Sequence, residues 1–293
     1  MKANRKFLFV LPVFLMICAC TQVPQQIAFE KPVASRADLS SGQVKDSILL
    51  VIATQDNLRR RVGSTSFFVA PNKIATNIHV VAGVDPVLAH VRVKGTTWAI
   101  RGVTAYDVKN DLVILEISGK GTPLPLGDSD TVQSGDAVSV MGYPNGKYTV
   151  TEGTIDRVRK SDKWFQMDTR ISGGNSGSPV INNKGQVIGI AALGGAPFSY
   201  AIPSNTLKAL LTQSGPPEPL SKWCKRRRIR AFVYANQGIS KFYVNHYNEA
   251  ITNFDKAIEL NPDEAETYYN RGFAKVKLAD LQTTQGHVEG ARA

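Results

Sequence analysis

From about Ser47 to Ala201 the chain is a succession of short apolar runs closed by turn residues. Examples are Leu49 to Ile52, Phe67 to Val69, Val91 to Val93, Val113 to Ile117, Val138 to Met141 and Val187 to Ala191. No long helical period interrupts them. A chain of many short strands must keep its sheet edges from pairing with other chains, and closing the sheet on itself does so, which predicts a closed all-β architecture. Thr206 to Thr212 reads as a short closing helix. The cysteines are Cys18, Cys20 and Cys224, two of them beside the N-terminus, so no disulfide framework supports these strands. At 293 residues there is room for one such domain and a smaller second one.

Three separated stretches carry residues suited to acyl transfer. Gly173-Gly174-Asn175-Ser176-Gly177-Ser178-Pro179 sets a serine between glycines, where a tight turn can expose its hydroxyl beside backbone N–H groups. Upstream, Ile74-Ala75-Thr76-Asn77-Ile78-His79-Val80-Val81 places a histidine just after an apolar strand-like run. Between them, Lys109-Asn110-Asp111-Leu112-Val113-Ile114-Leu115 opens a strand with an aspartate. A serine nucleophile needs an imidazole to take its proton, and the imidazole needs a carboxylate to hold its tautomer. Each residue alone has an ordinary structural reading: loop serine, satisfied histidine, turn aspartate. His90, His246 and His287 are read that way.

These stretches resemble a trypsin-like serine protease of the disulfide-free bacterial sort, close to HtrA/Do-type proteases and to glutamyl endopeptidases. The chain order His, Asp, Ser is that of the family. Further resemblance lies in Gly63 to Val69, Leu124 to Asp130, Gly135 to Val138, Gly142 to Gly146, Val187 to Ile190 and Tyr200 to Ser204, so that it runs from about Lys45 to Leu211. It implies an all-β double six-stranded barrel over residues 45–212. It also implies His79 as general base, Asp111 as its orienting carboxylate and Ser176 as nucleophile, with the N–H groups of Gly174 and Ser176 as the oxyanion hole. Arg170 falls at the family position beneath the primary pocket, where it either favours acidic side chains or points outward and leaves a small aliphatic pocket, the second being preferred. Ala191 stands where glutamyl endopeptidases carry a histidine, which puts acidic specificity in doubt. The edge at Ala192 to Gly194 is suited to pairing with substrate backbone. The expected function is an exported serine endopeptidase; the competing reading is a catalytically silent protease-fold scaffold with a misformed oxyanion hole. The PDZ domain that often follows such proteases is not visible in this sequence.

Lys2, Arg5 and Lys6 precede the apolar stretch Phe7 to Ile17, whose 11 residues are too few to span a bilayer. Residues 1–20 therefore read as an export signal, and Ile17-Cys18-Ala19-Cys20 resembles a bacterial lipobox with Cys20 as the lipidated residue. That implies a periplasmic or cell-envelope protein, membrane-tethered where Cys20 carries lipid. Residues 21–44, rich in Gln, Pro and Ser, suit a flexible tether. Net charge is +11, and much of the excess lies in Lys222-Trp223-Cys224-Lys225-Arg226-Arg227-Arg228-Ile229-Arg230. In an exported protein this run reads as a solvated linker, residues 213–230, and not as a nucleic-acid surface. No phosphate loop, dinucleotide fingerprint or metal-ligand cluster is present, so no cofactor is expected.

Beyond the linker the period becomes helical. Tyr234, Gly238, Ala250, Phe254, Ala257 and Pro262 occupy offsets that resemble a 34-residue tetratricopeptide (TPR) repeat, a protein-interaction module. Tyr268, Asn270 and Gly272 repeat Tyr234, Asn236 and Gly238 at that period. The second copy decays at Thr284 and Gly286, leaving about one and a half repeats over residues 231–293. So short an array cannot easily bury a solenoid core by itself.

Overall fold

A computed structural model describes residues 42–55, 60–83, 90–93, 95–195 and 198–290. The export signal, Cys20 and the tether up to residue 41 lie outside them. After a short helix, α1 (Gly42–Asp46), come β1 (Ile48–Gln55), β2 (Arg60–Ala70) and β3 (Lys73–Asn77). The one-turn helix α2 (Ile78–Val81) leads on to β4 (His90–Val93), β5 (Thr96–Asp107) and β6 (Leu112–Ile117). These six strands close in the order β1-β2-β3-β6-β5-β4. The next six are β7 (Ala137–Gly142), β8 (Thr149–Val158), β9 (Phe165–Met167), β10 (Pro179–Asn182), β11 (Val187–Gly195) and β12 (Phe198–Pro203), and they close as β10-β11-β12-β9-β8-β7. The closing helix α3 spans Ser204–Thr212.

Alternation along the strands explains why they read as nearly continuous apolar runs. In β6, Val113, Leu115 and Ile117 point into the core of the first barrel, while Leu112 and Ile114 point into a second core. That second core is shared: it also takes Met141, Ile181, Val187, Ile190 and Ile202 from the second barrel. The other faces of the second set enclose Val140, Phe165, Met167, Val180 and Ile188. A strand buried on both faces has no polar side to show, so the period-2 signal fades into a run.

The segment read as a solvated linker is instead packed. Glu218 exchanges backbone hydrogen bonds with Val103 of β5, at 2.7 and 2.8 Å. Helix α4 (Leu220–Trp223) follows, and helix α5 (Arg227–Tyr243) starts four residues ahead of the expected boundary. Trp223 is 0% exposed, edge-on to Tyr106 at 5.7 Å between ring centroids. Leu220, Trp223 and Ile229, with Phe232 and Val233 packed against them, join the first-barrel core, which also holds Ile78, Val80 and Val81 of α2. The basic residues Lys222, Lys225, Arg227 and Arg228 occupy the exposed side, which is the part of the linker reading that holds. The charges masked an amphipathic segment whose apolar face covers a barrel.

Helices α6 (Tyr247–Leu260) and α7 (Ala265–Gly290) complete the chain. Ala250, Phe254 and Ala274 form their small core, and the Phe254 ring lies against Gly238, where an added Cβ would come within 2.6 Å. The glycine of the first repeat is therefore a slot for the aromatic side chain of the next helix.

Candidate active site

His79 and Asp111 meet because β3 and β6 run side by side, with Asn77 opposite Leu112. The turn ahead of β6 is shaped by Asp107, whose carboxylate accepts from both the backbone N–H and the side-chain amide of Asn110. Asp111 itself takes φ +53, a left-handed conformation that aspartate tolerates better than most residues. Residues 77–79 then wrap around it. The Asp111 carbonyl accepts from Ile78 N–H at 3.1 Å and Asn77 Nδ2 at 3.0 Å. Its carboxylate accepts from His79 N–H at 3.0 Å and lies 2.5 Å from His79 Nδ1. The two side chains are mostly enclosed, 28% and 18% exposed. Burial opposes a charge on the imidazole, but the Asp111 carboxylate and its hydrogen bond outweigh it, so the His79 pKa is raised above the ordinary histidine value.

The serine turn is held against the first barrel from several sides. The Ser176 carbonyl accepts from Thr65 N–H at 3.1 Å and Ser64 Oγ at 2.8 Å. Thr65 Oγ1 donates to the Gly174 carbonyl at 2.7 Å and accepts from Tyr143 N–H at 2.9 Å. Gly177, at φ +82, sits so close that a Cβ would fall 2.1 Å from the Thr65 carbonyl and 2.3 Å from Thr76 Oγ1. Thr76 is only three residues before His79. The Ser176 hydroxyl donates to the Ala192 carbonyl at 2.9 Å, and no hydrogen bond joins it to His79 among the described residues.

Two peptide units in this turn are oriented by their carbonyls. Gly173 C=O accepts from Asn145 N–H at 3.3 Å, and Asn175 C=O accepts from Ser178 N–H at 2.9 Å. In a trans peptide the N–H points opposite to the C=O, so the N–H groups of Gly174 and Ser176 are turned away from these anchors. Neither has a protein acceptor among the described residues. Gly174 adopts φ +100, and a Cβ there would lie 2.6 Å from the Tyr143 carbonyl.

Of the other residues singled out in the sequence, Ala191 is buried in β11, its N–H donating to Ser178 and its carbonyl accepting from Gly177, both at 2.8 Å. Gly194 pairs with Ser199 at the β11 edge. Arg170 is exposed and without a hydrogen bond or ion pair among the described residues. Ser64, Thr65 and Asn145, which grip the serine turn, were not singled out as site residues. The only sequence signal for the first two is the run of hydroxyl residues Ser64-Thr65-Ser66 just ahead of the apolar Phe67-Phe68-Val69. No group of His, Cys, Asp or Glu suited to a metal ion occurs among the described residues.

Comparison with known proteins agrees with this architecture. Residues 63–190 match the family model of the trypsin-like peptidase domain, and residues 242–278 that of the TPR repeat. A probable periplasmic serine endoprotease DegP-like of Rickettsia prowazekii (strain Madrid E) is 33% identical over 168 residues, which are 50% of this chain and 32% of the relative. The serine protease Do-like HtrB of Bacillus subtilis (strain 168) is 35% identical over 161 residues, 48% of this chain and 35% of its own. The chain spans well under half the length of these curated relatives. Among solved structures, the Rv3671c protease from M. tuberculosis in its active form superposes with TM-score 0.54 at 21% identity, covering 68% of this chain and 96% of that one. The HtrA-type protease AlgW with tripeptide gives TM-score 0.51 at 24% identity, covering 59% and 61%. The chain thus has a sheet-rich, trypsin-like fold followed by TPR-type helices.

Proposed function

We propose that this protein is an exported serine endopeptidase, related to the HtrA and DegP-like proteases, built as a double six-stranded barrel with a TPR-type module for protein interaction. The observation that carries the reading is the 2.5 Å pairing of His79 Nδ1 with the Asp111 carboxylate, on the barrel whose strands also grip the Ser176 turn. Pairing at Nδ1 leaves Nε2 to serve as the base.

In the reaction Ser176 Oγ gives up its hydrogen bond to Ala192 and passes its proton to His79 as it attacks a peptide carbonyl. Catalytic hydrogen bonds of this kind commonly tighten only once substrate is bound. The developing oxyanion is received by the N–H groups of Gly174 and Ser176, where a single donor is typically worth about 2.7–4 kcal/mol. His79 then protonates the leaving amine, and water, activated by the same imidazole, hydrolyses the acyl-enzyme. Substrate backbone pairs along the β11 edge by Ala192 to Gly194. With Ala191 in place of a histidine, and Arg170 exposed, the primary pocket suits a small aliphatic side chain better than an acidic one. Export through residues 1–20, and a lipid anchor on Cys20, would put this activity in the periplasm or at the cell envelope.

The Ser176–Ala192 hydrogen bond also favours the competing reading of a silent scaffold, so the test must separate the two. A fluorophosphonate probe should label the folded protein and fail to label Ser176→Ala, and only the wild type should release fragments from casein. Absence of labelling in folded wild type would establish the scaffold.

A further inference from the structure

The exposed face of α7 carries an unfilled version of the slot that packs the first TPR copy. Gly272 lies 34 residues after Gly238, whose face is filled by the Phe254 ring, yet at Gly272 nothing lies within 4 Å of an added Cβ. The rim of this open slot is apolar: Tyr268, Tyr269, Phe273 and Val276 are 40%, 50%, 42% and 55% exposed. At about 100° per residue these positions, with Gly272, form one stripe, opposite Thr267 and Ala274, which face the rest of the helices; at its edge the Phe273 ring rests on Phe242 of α5, 5.2 Å between centroids. Contiguous exposed aromatics of this kind mark a contact surface. The second repeat does not supply its own cover, because the helix continues to Gly290 instead of reversing near residue 281.

The flanks of the stripe indicate the occupant. On one flank Glu264 precedes Lys275, and on the other Glu266 precedes Lys277, each by eleven residues. Within residues 264–277, acid thus lies toward the N-terminal end on both flanks and base toward the C-terminal end, with Asp280 one turn beyond Lys277. A helix with that pattern is complementary to itself when turned antiparallel. With a twofold axis between Asn270 and Arg271, Tyr269 of one copy sits over Gly272 of the other. Glu264 and Glu266 then approach Lys275 and Lys277 across the axis, the same contacts occurring twice. Arg271 is engaged by Asp255 of α6 at 2.8 Å and also lies over the Tyr268 ring, 5.4 Å from its centroid, at the border of the stripe. Lys277 lies over the Phe273 ring and pairs with Asp280, both contacts being exposed and exchangeable.

We propose that the protein self-associates through this face, two α7 helices packing antiparallel with a tyrosine from each filling the glycine slot of its partner. The proposal rests on reading the helical appendage as an interaction module and names the partner as a second copy of the same chain. It is tested by sedimentation equilibrium on the full chain. Wild type should show a concentration-dependent monomer–dimer equilibrium. Gly272→Leu, which fills open space, and Glu266→Lys should each raise the dissociation constant by about tenfold or more, with helicity by circular dichroism unchanged. Glu266→Lys combined with Lys277→Glu should restore dimerisation, a rescue that a merely misfolded variant would not show. A wild type monomeric at every concentration, or a dimer indifferent to all three variants, overturns the proposal. A monomer that binds a different protein through Tyr269 and Phe273 overturns self-association while leaving the interaction-module reading intact.

Discussion

His79 is the residue at which the electrostatics of the site make the sharpest demand. Its pKa is raised because Asp111 overcomes the cost of burial. As the proposed general base, His79 must be neutral, so activity should appear only as pH rises through that raised value, placing the acid limb of kcat/KM above the ordinary histidine value of about 6.5. Asp111→Asn should move the limb downward and reduce kcat by roughly 10⁴, as loss of the orienting carboxylate misplaces the tautomer. The linkage has a definite sign. A raised histidine pKa stabilises the fold below the unfolded value and is lost as pH rises through the folded one, so the stability gap between wild type and Asp111→Asn should narrow across that range in urea titrations. Gly174→Ala tests the other half of the chemistry. Its φ of +100 and the 2.6 Å approach to the Tyr143 carbonyl leave no room for a side chain. The expected outcome is kcat about 10²–10³ lower with a native circular dichroism spectrum. His79, Asp111 and Ser176 could be picked out by residue type and order. Thr65 could not, because a threonine in a strand gives no sign that its hydroxyl will tie Gly174 to Tyr143 from across the molecule.

Among the elements, α4 and the start of α5 depart furthest from their sequence reading. Charge count describes the side of a helix that faces water, and here Lys222, Lys225, Arg227 and Arg228 describe it correctly. The other side carries Leu220, Trp223, Ile229 and Val233, too few in a short segment to give a convincing period. Trp223→Ala should cost about 3–5 kcal/mol in chemical denaturation, since it empties a fully buried aromatic site beside Tyr106. A solvated linker would show no such loss. The strands were easier to read, because turn residues punctuate them. What the pattern of β6 did not disclose is that its two faces serve two different cores.

For the whole molecule, the consequence is that the helical appendage and the proposed base share a core. Ile78, Val80 and Val81 belong to the same core cluster as Leu220, Trp223 and Ile229, the Cys224 thiol lies 3.9 Å from the Val81 carbonyl, and Gly83 meets Val233 so closely that an added Cβ would fall 2.9 Å from it. A chain truncated after residue 215 should therefore have a Tm several degrees lower and reduced fluorophosphonate labelling, since α2 loses the packing that supports His79. Equal stability and labelling in the truncated chain would show the two parts to be independent. The all-β centre, the helical tail and the three residues suited to acyl transfer follow from local pattern and order, because strand alternation, turn glycines and residue chemistry are written in neighbouring positions. How the serine turn is gripped, where the basic segment lies and which helix face stays open depend on contacts between residues far apart in the chain. Those are decided by packing and closure of the barrels, since only the folded chain brings distant surfaces close enough to exclude water and compete for the same hydrogen bonds.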